Sequence, residues 1–146
     1  MAYASIGERG RAIKYLEQAL SIAREVGNRR SEGLTLGNIG AAHFFGGDYY
    51  RAIELYEQEL LIARELGDQS GESLALGNLG EAYAALNDHA RAIEFYEQAL
   101  TVARSMGDRR TESNMLFNIS LELDKTGERS KAIVDLLRKS VKRCDK

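Results

Sequence analysis

The sequence predicts an all-α solenoid of helix–turn–helix units, because the chain repeats every 40 residues and each repeat has the apolar spacing of two helices. Units of this length bury their apolar faces only against their neighbours, so they stack into an elongated fold. The recurring residues are a basic-Ala-Ile triplet at 11–13, 51–53, 91–93 and 131–133, the glycines Gly27, Gly67 and Gly107, and the asparagines Asn38, Asn78 and Asn118.

The composition is typical of one soluble domain. The chain has 146 residues, 44% of them apolar, and a net charge of −2 with a pI of about 5.8. This balance argues against non-specific binding of nucleic acid, which requires a basic face. Cys144 is the lone cysteine, no apolar leader opens the chain, and no run is long enough to span a membrane. We therefore expect a cytoplasmic protein that does not contact membranes.

Charge is distributed unevenly along the repeats. Residues 68–107 carry two arginines against six acidic residues, whereas residues 108–146 carry ten basic against seven acidic residues. Two explanations stay open: a solvated surface with a basic C-terminal helix end, or a partner that reads the asymmetry.

The period divides a single domain, residues 1–146, into four units. They are a truncated first repeat at 1–27, full repeats at 28–67 and 68–107, and a degenerate C-terminal repeat at 108–146. Since the first unit lacks about two turns of its first helix, we expect either a chain cut from a longer array or a cover over its exposed face. Ala19, Ile22 and Ala23 would otherwise face water, which makes a homo-oligomer formed through this N-terminal face one hypothesis.

The second helix of each unit, helix B, has an ordinary amphipathic pattern. In residues 48–67, Asp48 is a good N-cap and Gly67 supplies a left-handed C-cap. Between these caps, apolar residues recur at helical spacing on one side and charges fill the other. The corresponding segments run from about Glu8 to Val26, from His89 to Met106 and from Glu128 to Arg143.

The first helix of each unit, helix A, is nearly uncharged on all sides. Residues 33–46 contain no Asp, Glu, Lys or Arg, and residues 73–86 contain only Glu81. A helix without a charged face is either sandwiched between other helices or lines a groove.

Helix A also carries a pair of glycines in two of the repeats. One member falls on the packing face and the other lies nearer the opposite face; the pairs are Gly40 with Gly37, and Gly80 with Gly77. We expect helix B to approach the packing glycines closely through Ala52 and Ala92. Opposite the other two glycines, either a neighbouring helix A or a bound peptide comes close to the backbone.

Residues 73–106 resemble a tetratricopeptide repeat. The segment Leu79-Gly80-Glu81-Ala82-Tyr83 is followed by Ala92, Tyr96 and Ala99 at the spacing of that family. The other repeats match with more substitutions, so the resemblance covers nearly the whole chain. It implies a right-handed α-solenoid that binds proteins.

The repeats depart from the usual family pattern in one systematic way. The unit has 40 residues rather than 34, and Arg64 and Arg104 stand where the usual helix-ending Pro would be. This resembles the long-repeat subclass found in kinesin light chains, Pins-type polarity adaptors and bacterial signalling proteins. In those relatives, the A helices line a concave groove that holds a partner peptide.

The resemblance implies that Asn38, Asn78 and Asn118 hydrogen-bond the backbone of a ligand, since an amide offers two donors and an acceptor. The alternative is that each Asn bonds a neighbouring helix and keeps the superhelix in register. The full set of predicted groove residues is Leu34, Gly37, Asn38, Ala41, Phe45, Leu74, Gly77, Asn78, Glu81, Asn114, Phe117, Asn118 and Leu121.

The predicted groove is neutral and partly apolar. The basic clamp with which other family members hold a C-terminal carboxylate is missing, because Gly37, Ala41, Gly77 and Glu81 stand at its positions. A ligand held by its C-terminal carboxylate is therefore not expected. Acidic ligands such as those of Pins-type adaptors are not expected either, because Leu34, Leu74 and Asn114 stand where those adaptors carry an Arg. An amphipathic helix or an extended apolar segment suits such a groove better.

No catalytic or cofactor-binding pattern is found in the sequence. His43 falls at a packing position, and His89 is expected to be solvated at the start of an outer helix. No Cys/His cluster has metal spacing, and no glycine-rich phosphate loop occurs. Arg29-Arg30 and Arg109-Arg110 are expected in loops between repeats. We expect a protein that is not an enzyme and uses neither cofactor nor metal.

The sequence thus favours a scaffold that binds a peptide or helical segment of a partner protein. Two alternatives stay open. The chain could be a self-assembling structural module, or it could be the peptide-sensing part of a larger bacterial regulator.

Overall fold

A computed structural model describes residues 6–127, 131 and 134–139 of the chain. Its helices are α1 (Ile6–Glu25), α2 (Arg29–Phe45), α3 (Tyr49–Leu66), α4 (Gln69–Ala85), α5 (His89–Met106) and α6 (Arg109–Thr126). Residues 131 and 134–139 are also helical, while most of the helix predicted from Glu128 to Arg143 lies outside the described residues. No strand occurs in this described part, and the predicted all-α solenoid is confirmed.

Each helix packs against the next one along the chain, and α2 also contacts α4. Helices α2, α4 and α6 are the A helices of their repeats, and α1, α3 and α5 are the B helices. The larger core joins α3 to α6 around Leu76, Leu79 and Tyr96. A smaller core joins α2 and α3 through Leu36 and Ile62. The A helices are therefore packed between B helices, as their low charge predicted.

The helix ends follow from their capping residues. Helices α2 to α6 each begin after a side chain that accepts a hydrogen bond from the backbone N–H three residues on. These N-caps are Asn28, Asp48, Asp68, Asp88 and Asp108. Gly67 and Gly107 end α3 and α5 with φ of 65° and 69°, a conformation that favours glycine. The predicted caps at Asp48 and Gly67 are confirmed.

The A helices begin earlier than the sequence pattern predicted. Helices α2 and α4 start four residues before the expected segments 33–46 and 73–86, because the N-cap follows directly on the glycine that ends helix B. The expectation that Arg29-Arg30 and Arg109-Arg110 lie in loops is wrong, since both pairs occupy the first turn of a helix.

A repeated ion pair spans each junction between repeats. An arginine near the end of helix B pairs with a glutamate in the first turn of the next helix A. The pairs are Arg24–Glu32, Arg64–Glu72 and Arg104–Glu112, each with an Nε–Oε1 distance of 3.2 Å. The arginine of each pair is about half exposed, so each pair contributes about 0.2–1 kcal/mol. Two of these arginines occupy the positions where the usual repeat has proline, so the longer helix B gains a contact with the following helix.

Gly40 and Gly80 lie on the packing face of helix A, as predicted, and the groups that approach them are tyrosine rings. A Cβ atom at Gly40 would lie 2.8 Å from the Tyr56 ring, and one at Gly80 would lie 2.5 Å from the Tyr96 ring. The nearest atoms therefore belong to these rings rather than to the alanines expected there. Glycine is required because the ring occupies the space of its side chain.

The prediction that His89 is solvated is wrong. The His89 Nδ1 atom lies 2.5 Å from Oε2 of Glu122, whose other oxygen accepts a hydrogen bond from Lys125 at 3.1 Å. Burial raises the pKa of Glu122, but the hydrogen bonds from His89 and Lys125 outweigh it and hold that pKa below its ordinary value. The pair fastens α5 to α6.

The first helix is only partly covered by the described residues. Ile22 and Ala19 are exposed as expected, but Ala23 is buried, so the expectation that it faces water is wrong. Ile6, the first residue of α1, and Val26, which directly follows its last residue, are also exposed. Among the described helices, none has both the length and the apolar character needed to cross a membrane.

Candidate functional site

The three repeated asparagines occupy equivalent positions on α2, α4 and α6. Asn38 is exposed, while Asn78 and Asn118 are half-buried. Within the described part of the chain, none of their side-chain amides forms a hydrogen bond. Among these residues, no hydrogen bond therefore supports the alternative that each amide bonds a neighbouring helix. Each amide therefore has two donors and an acceptor that no described residue engages.

A cavity of about 230 Å³ opens between α4 and α6, above the end of α5. We call it the Ser73 pocket. The residues that line it are Ser70, Ser73, Leu74, Gly77, Asn78, Glu81, Met106, Asp108, Thr111, Asn114 and Met115. A volume of roughly 10–15 Å³ is enough for one water molecule. The pocket therefore has room for a side chain of a partner.

A second cavity lies 40 residues earlier, between α2 and α4, and measures only about 20 Å³. We call it the Glu59 pocket. Its lining residues are Arg30, Gly33, Leu34, Glu59, Ile62, Ala63, Leu66, Asp68 and Gly71. Several lining positions differ between the two repeats. Glu59 of α3 lines the Glu59 pocket, whereas its counterpart in α5, Ala99, is fully buried and does not line the Ser73 pocket.

Glu59 is an unusual residue to find at this depth. Its side chain is buried, with 4% of the residue exposed, and its Oε2 atom has no hydrogen-bond partner among the described residues. Burial, with a smaller contribution from the charge of Asp68, raises the pKa of Glu59 to about 7. The carboxyl lies against Gly37, where a Cβ atom would come within 2.5 Å of it. Gly37 is thus explained by helix B of its own repeat rather than by a neighbouring helix A.

The floor of the Ser73 pocket holds a second buried polar atom without a partner. Ser73 is 5% exposed, and its Oγ atom forms no hydrogen bond within the described residues. Such groups cost stability unless a ligand or water satisfies them. The corresponding residue in the Glu59 pocket is Gly33, where a Cβ atom would already lie 3.0 Å from Ile62.

Glu81 gives the Ser73 pocket an unpaired carboxylate. It has no ion-pair partner in the described part of the chain, and partial burial raises its pKa. Burial raises the pKa of Tyr56 to about 12 and also raises the pKa of Tyr96. In both cases the negative charge of Glu81 is the second cause, so Glu81 acts on the tyrosines that pack beneath the A helices.

The structure brings some of the predicted groove residues together and leaves others apart. Five of them line the Ser73 pocket: Leu74, Gly77, Asn78, Glu81 and Asn114. Leu34 lines the Glu59 pocket. The remaining predicted residues line neither cavity, and they are the buried Gly37, the half-buried Ala41 and Asn118, and the exposed Asn38, Phe45, Phe117 and Leu121.

Sequence reasoning missed the residues that give the Ser73 pocket its depth. These are Ser70, Ser73, Met106, Asp108, Thr111 and Met115. Three of them, Ser70, Asp108 and Thr111, lie in the junctions between repeats, outside the helices that the sequence pattern predicted.

Nothing in the described residues has the arrangement of a metal centre, since no group of three or more His, Cys, Asp or Glu side chains there could hold an ion. His43 is half-buried, with its Nδ1 atom 4.0 Å from Oδ2 of Asp48. Cys144 lies outside the described residues.

The chain belongs to the tetratricopeptide repeat family. One tetratricopeptide repeat model matches residues 31–105, and a second matches residues 1–30. Repeats of this family generally mediate interactions between proteins. No curated protein matches the chain.

Solved structures share the fold at low sequence identity. A STAND signal-transduction ATPase with a tetratricopeptide repeat sensor, from Pyrococcus horikoshii, is 23% identical with a TM-score of 0.73, over 89% of this chain and 21% of that one. BtubC (BKLC) from P. vanneervenii is 22% identical with a TM-score of 0.75, over 91% and 56%. The repeats of a putative kinesin light chain from Podosopora anserina are 20% identical with a TM-score of 0.68, over 90% and 65%. The chain therefore spans less than two thirds of each of these proteins.

Proposed function

We propose that this tetratricopeptide repeat protein holds an extended or helical segment of a partner protein against helices α2, α4 and α6. The observation that carries the proposal is the Ser73 pocket, where a cavity of about 230 Å³ adjoins the unengaged amide of Asn78. Exposed apolar side chains on the same helices, including Leu34, Leu74 and Phe117, would add contact area.

In this mechanism the asparagines and the apolar residues have different tasks. Asn38, Asn78 and Asn118 hold peptide groups of the ligand backbone, which requires no particular ligand sequence. The apolar side chains and the Ser73 pocket select among ligand side chains. A ligand that gains both kinds of contact offsets the entropy lost when it is ordered on the surface.

The test is a peptide-display selection on the full chain with Asn78→Arg as the counter-selected variant. An arginine at position 78 would obstruct the pocket and pair with Glu81 one turn away. Gln58→Arg is the matched control, because Gln58 is an exposed amide on the outer helix α3. We expect a consensus that binds the wild type and Gln58→Arg but not Asn78→Arg. A consensus that binds all three equally, or no consensus at all, would contradict the proposal.

Exposed apolar residues on α1 and directly after it support self-association as a second candidate function. Ile6 is 87% exposed, Val26 70% and Ile22 59%. A second copy that covers them would remove this surface from water. Sedimentation of the chain over a range of concentrations tests the idea, since a mass that stays monomeric at high concentration would contradict it.

A further inference from the structure

We propose that the Ser73 pocket receives an arginine side chain of the bound partner, with the guanidinium next to Glu81. This inference rests on the proposed function, because it names the ligand group that the groove selects.

The first argument is charge. The pocket lining contains the carboxylates of Glu81 and Asp108 and no Lys, Arg or His. Both oxygens of Asp108 already accept hydrogen bonds from Thr111, so Asp108 contributes charge more than hydrogen bonds. Glu81 has no such partner within the described residues. A cation in the pocket would be attracted by both carboxylates, whereas an anion would be repelled. Arg110, whose charge helps to lower the pKa of Asp108, is not among the lining residues.

The second argument is hydrogen bonding. Besides the Glu81 carboxylate, the pocket presents the unpartnered Oγ atom of Ser73 and the amide oxygens of Asn78 and Asn114. A guanidinium carries five N–H donors in a fixed plane and can serve several such acceptors at once, while a lysine ammonium has three donors at a single point. The spread of acceptors around one cavity therefore favours arginine.

The third argument is the apolar wall. Leu74, Met106 and Met115 line the same cavity as the polar groups. Arginine buries the methylene groups of its side chain along apolar surface while its charged end reaches polar partners. Methionine side chains adapt readily to such a stem.

The neighbouring repeat shows why we expect arginine in the Ser73 pocket and not in the Glu59 pocket. In the Glu59 pocket, the chain's own carboxyl fills the cavity, and Arg30 brings a positive charge to its edge. An incoming arginine would find little space there and a like charge. The surplus of acidic residues in the repeat 68–107, six against two arginines, points to the same region.

The test is a titration of the ¹⁵N-labelled full chain with Nα-acetyl-arginine amide, followed by NMR. Nα-acetyl-citrulline amide is the matched probe, because it has nearly the same shape and no charge. We expect saturable chemical-shift changes of the amides of Gly77, Asn78 and Asn114. The citrulline probe should bind at least about fivefold more weakly, which corresponds to ~1 kcal/mol of binding free energy. The variant Glu81→Gln should lose the same factor, while Glu94→Gln on the outer face of α5 should bind as the wild type does.

Three outcomes would overturn the inference: no saturable shifts in the pocket, equal binding of the citrulline probe, or unchanged binding by Glu81→Gln. These outcomes are separate from the fate of the proposed function. A peptide selection that depends on Asn78 but whose winners lack arginine would leave the groove function standing and contradict this inference alone.

Discussion

The carboxyl group of Glu59 on α3 occupies the space that a side chain at Gly37 on α2 would need. A Cβ atom placed on Gly37 would lie 2.5 Å from the carboxyl carbon and both of its oxygens. In the next repeat, the corresponding glycine, Gly77, has only the Met115 side chain nearby, at 3.7 Å. The two repeats thus differ in which side chain lies next to equivalent glycines.

Alanine at Gly37 should cost more stability than alanine at Gly77. Gly37→Ala should destabilise the fold by up to about 1 kcal/mol, because the Glu59 carboxyl, at the end of a flexible side chain, must move away from the new methyl group. Gly77→Ala meets only an ordinary contact and should stabilise α4 by about 0.5–1 kcal/mol. Denaturant unfolding of both variants measures this. In a Glu59→Ala background the cost of Gly37→Ala should disappear, and an unchanged cost there would show that the overlap is not its cause.

Stability should fall as pH rises through the range set by Glu59. The pKa of Glu59 is about 7 in the folded chain against an ordinary value of 4.5, so the folded state binds its proton more tightly than the unfolded state does. The stabilisation is complete below pH 4.5, declines as pH rises and is lost above about 7. Glu59→Gln should remove this decline and be more stable than the wild type at pH 8 by about 1–3 kcal/mol. If the free energy of unfolding changed with pH in the same way for the wild type and Glu59→Gln, the attribution of this decline to Glu59 would be contradicted.

Glu122 should show the opposite pH dependence. Burial works to raise its pKa, but hydrogen bonds from His89 and Lys125 outweigh it, so the folded pKa lies below the ordinary value. The stability contributed by this carboxylate is therefore present above pH 4.5 and lost as pH falls through the folded pKa. Glu122→Gln should cost about 1–3 kcal/mol at pH 7 and much less in acid. Thermal unfolding across pH tests this, and a cost that does not depend on pH would argue against the charged pair.

An exchange at Ala99 should narrow the Ser73 pocket, because by analogy with Glu59 and Gly37 the new carboxyl would lie against Gly77, which lines that pocket. Ala99→Glu copies into α5 the residue that fills the Glu59 pocket, so we expect the chain to stay helical, lose about 1–3 kcal/mol of stability to the buried carboxyl and no longer bind ligand there. Glu59→Ala is the converse variant and should open the second cavity. Circular dichroism and binding of a selected peptide measure the two effects. Full binding by a folded Ala99→Glu protein would place the site elsewhere.

The repeat, the helix types and several helix ends could be predicted from the sequence because they depend on local patterns. Asp48 and Gly67 carry their capping tendencies wherever they occur, and a 40-residue period requires stacking. The starts of the A helices were missed, since an aspartate directly after a glycine can belong to a loop as well as to a helix.

The depth of the candidate site could not be read from the consensus pattern. Its lining includes residues that differ from their counterparts in the preceding repeat, such as Ser73 against Gly33 and Met115 against Ala75, which a search for shared residues passes over. The contact of His89 with Glu122 joins residues 33 positions apart, and it required a glutamate at a position where the other repeats have alanine. Interactions of this kind appear only when the helices are packed.

The most direct test of the groove is the affinity of one selected peptide for three proteins: the wild type, Asn78→Arg and Gln58→Arg. The account predicts that Asn78→Arg weakens binding by at least about tenfold, equivalent to ~1.4 kcal/mol, while Gln58→Arg binds as the wild type does and all three remain equally helical. Equal affinity of Asn78→Arg and the wild type would contradict the account, because the ligand would then lie on another face of the solenoid.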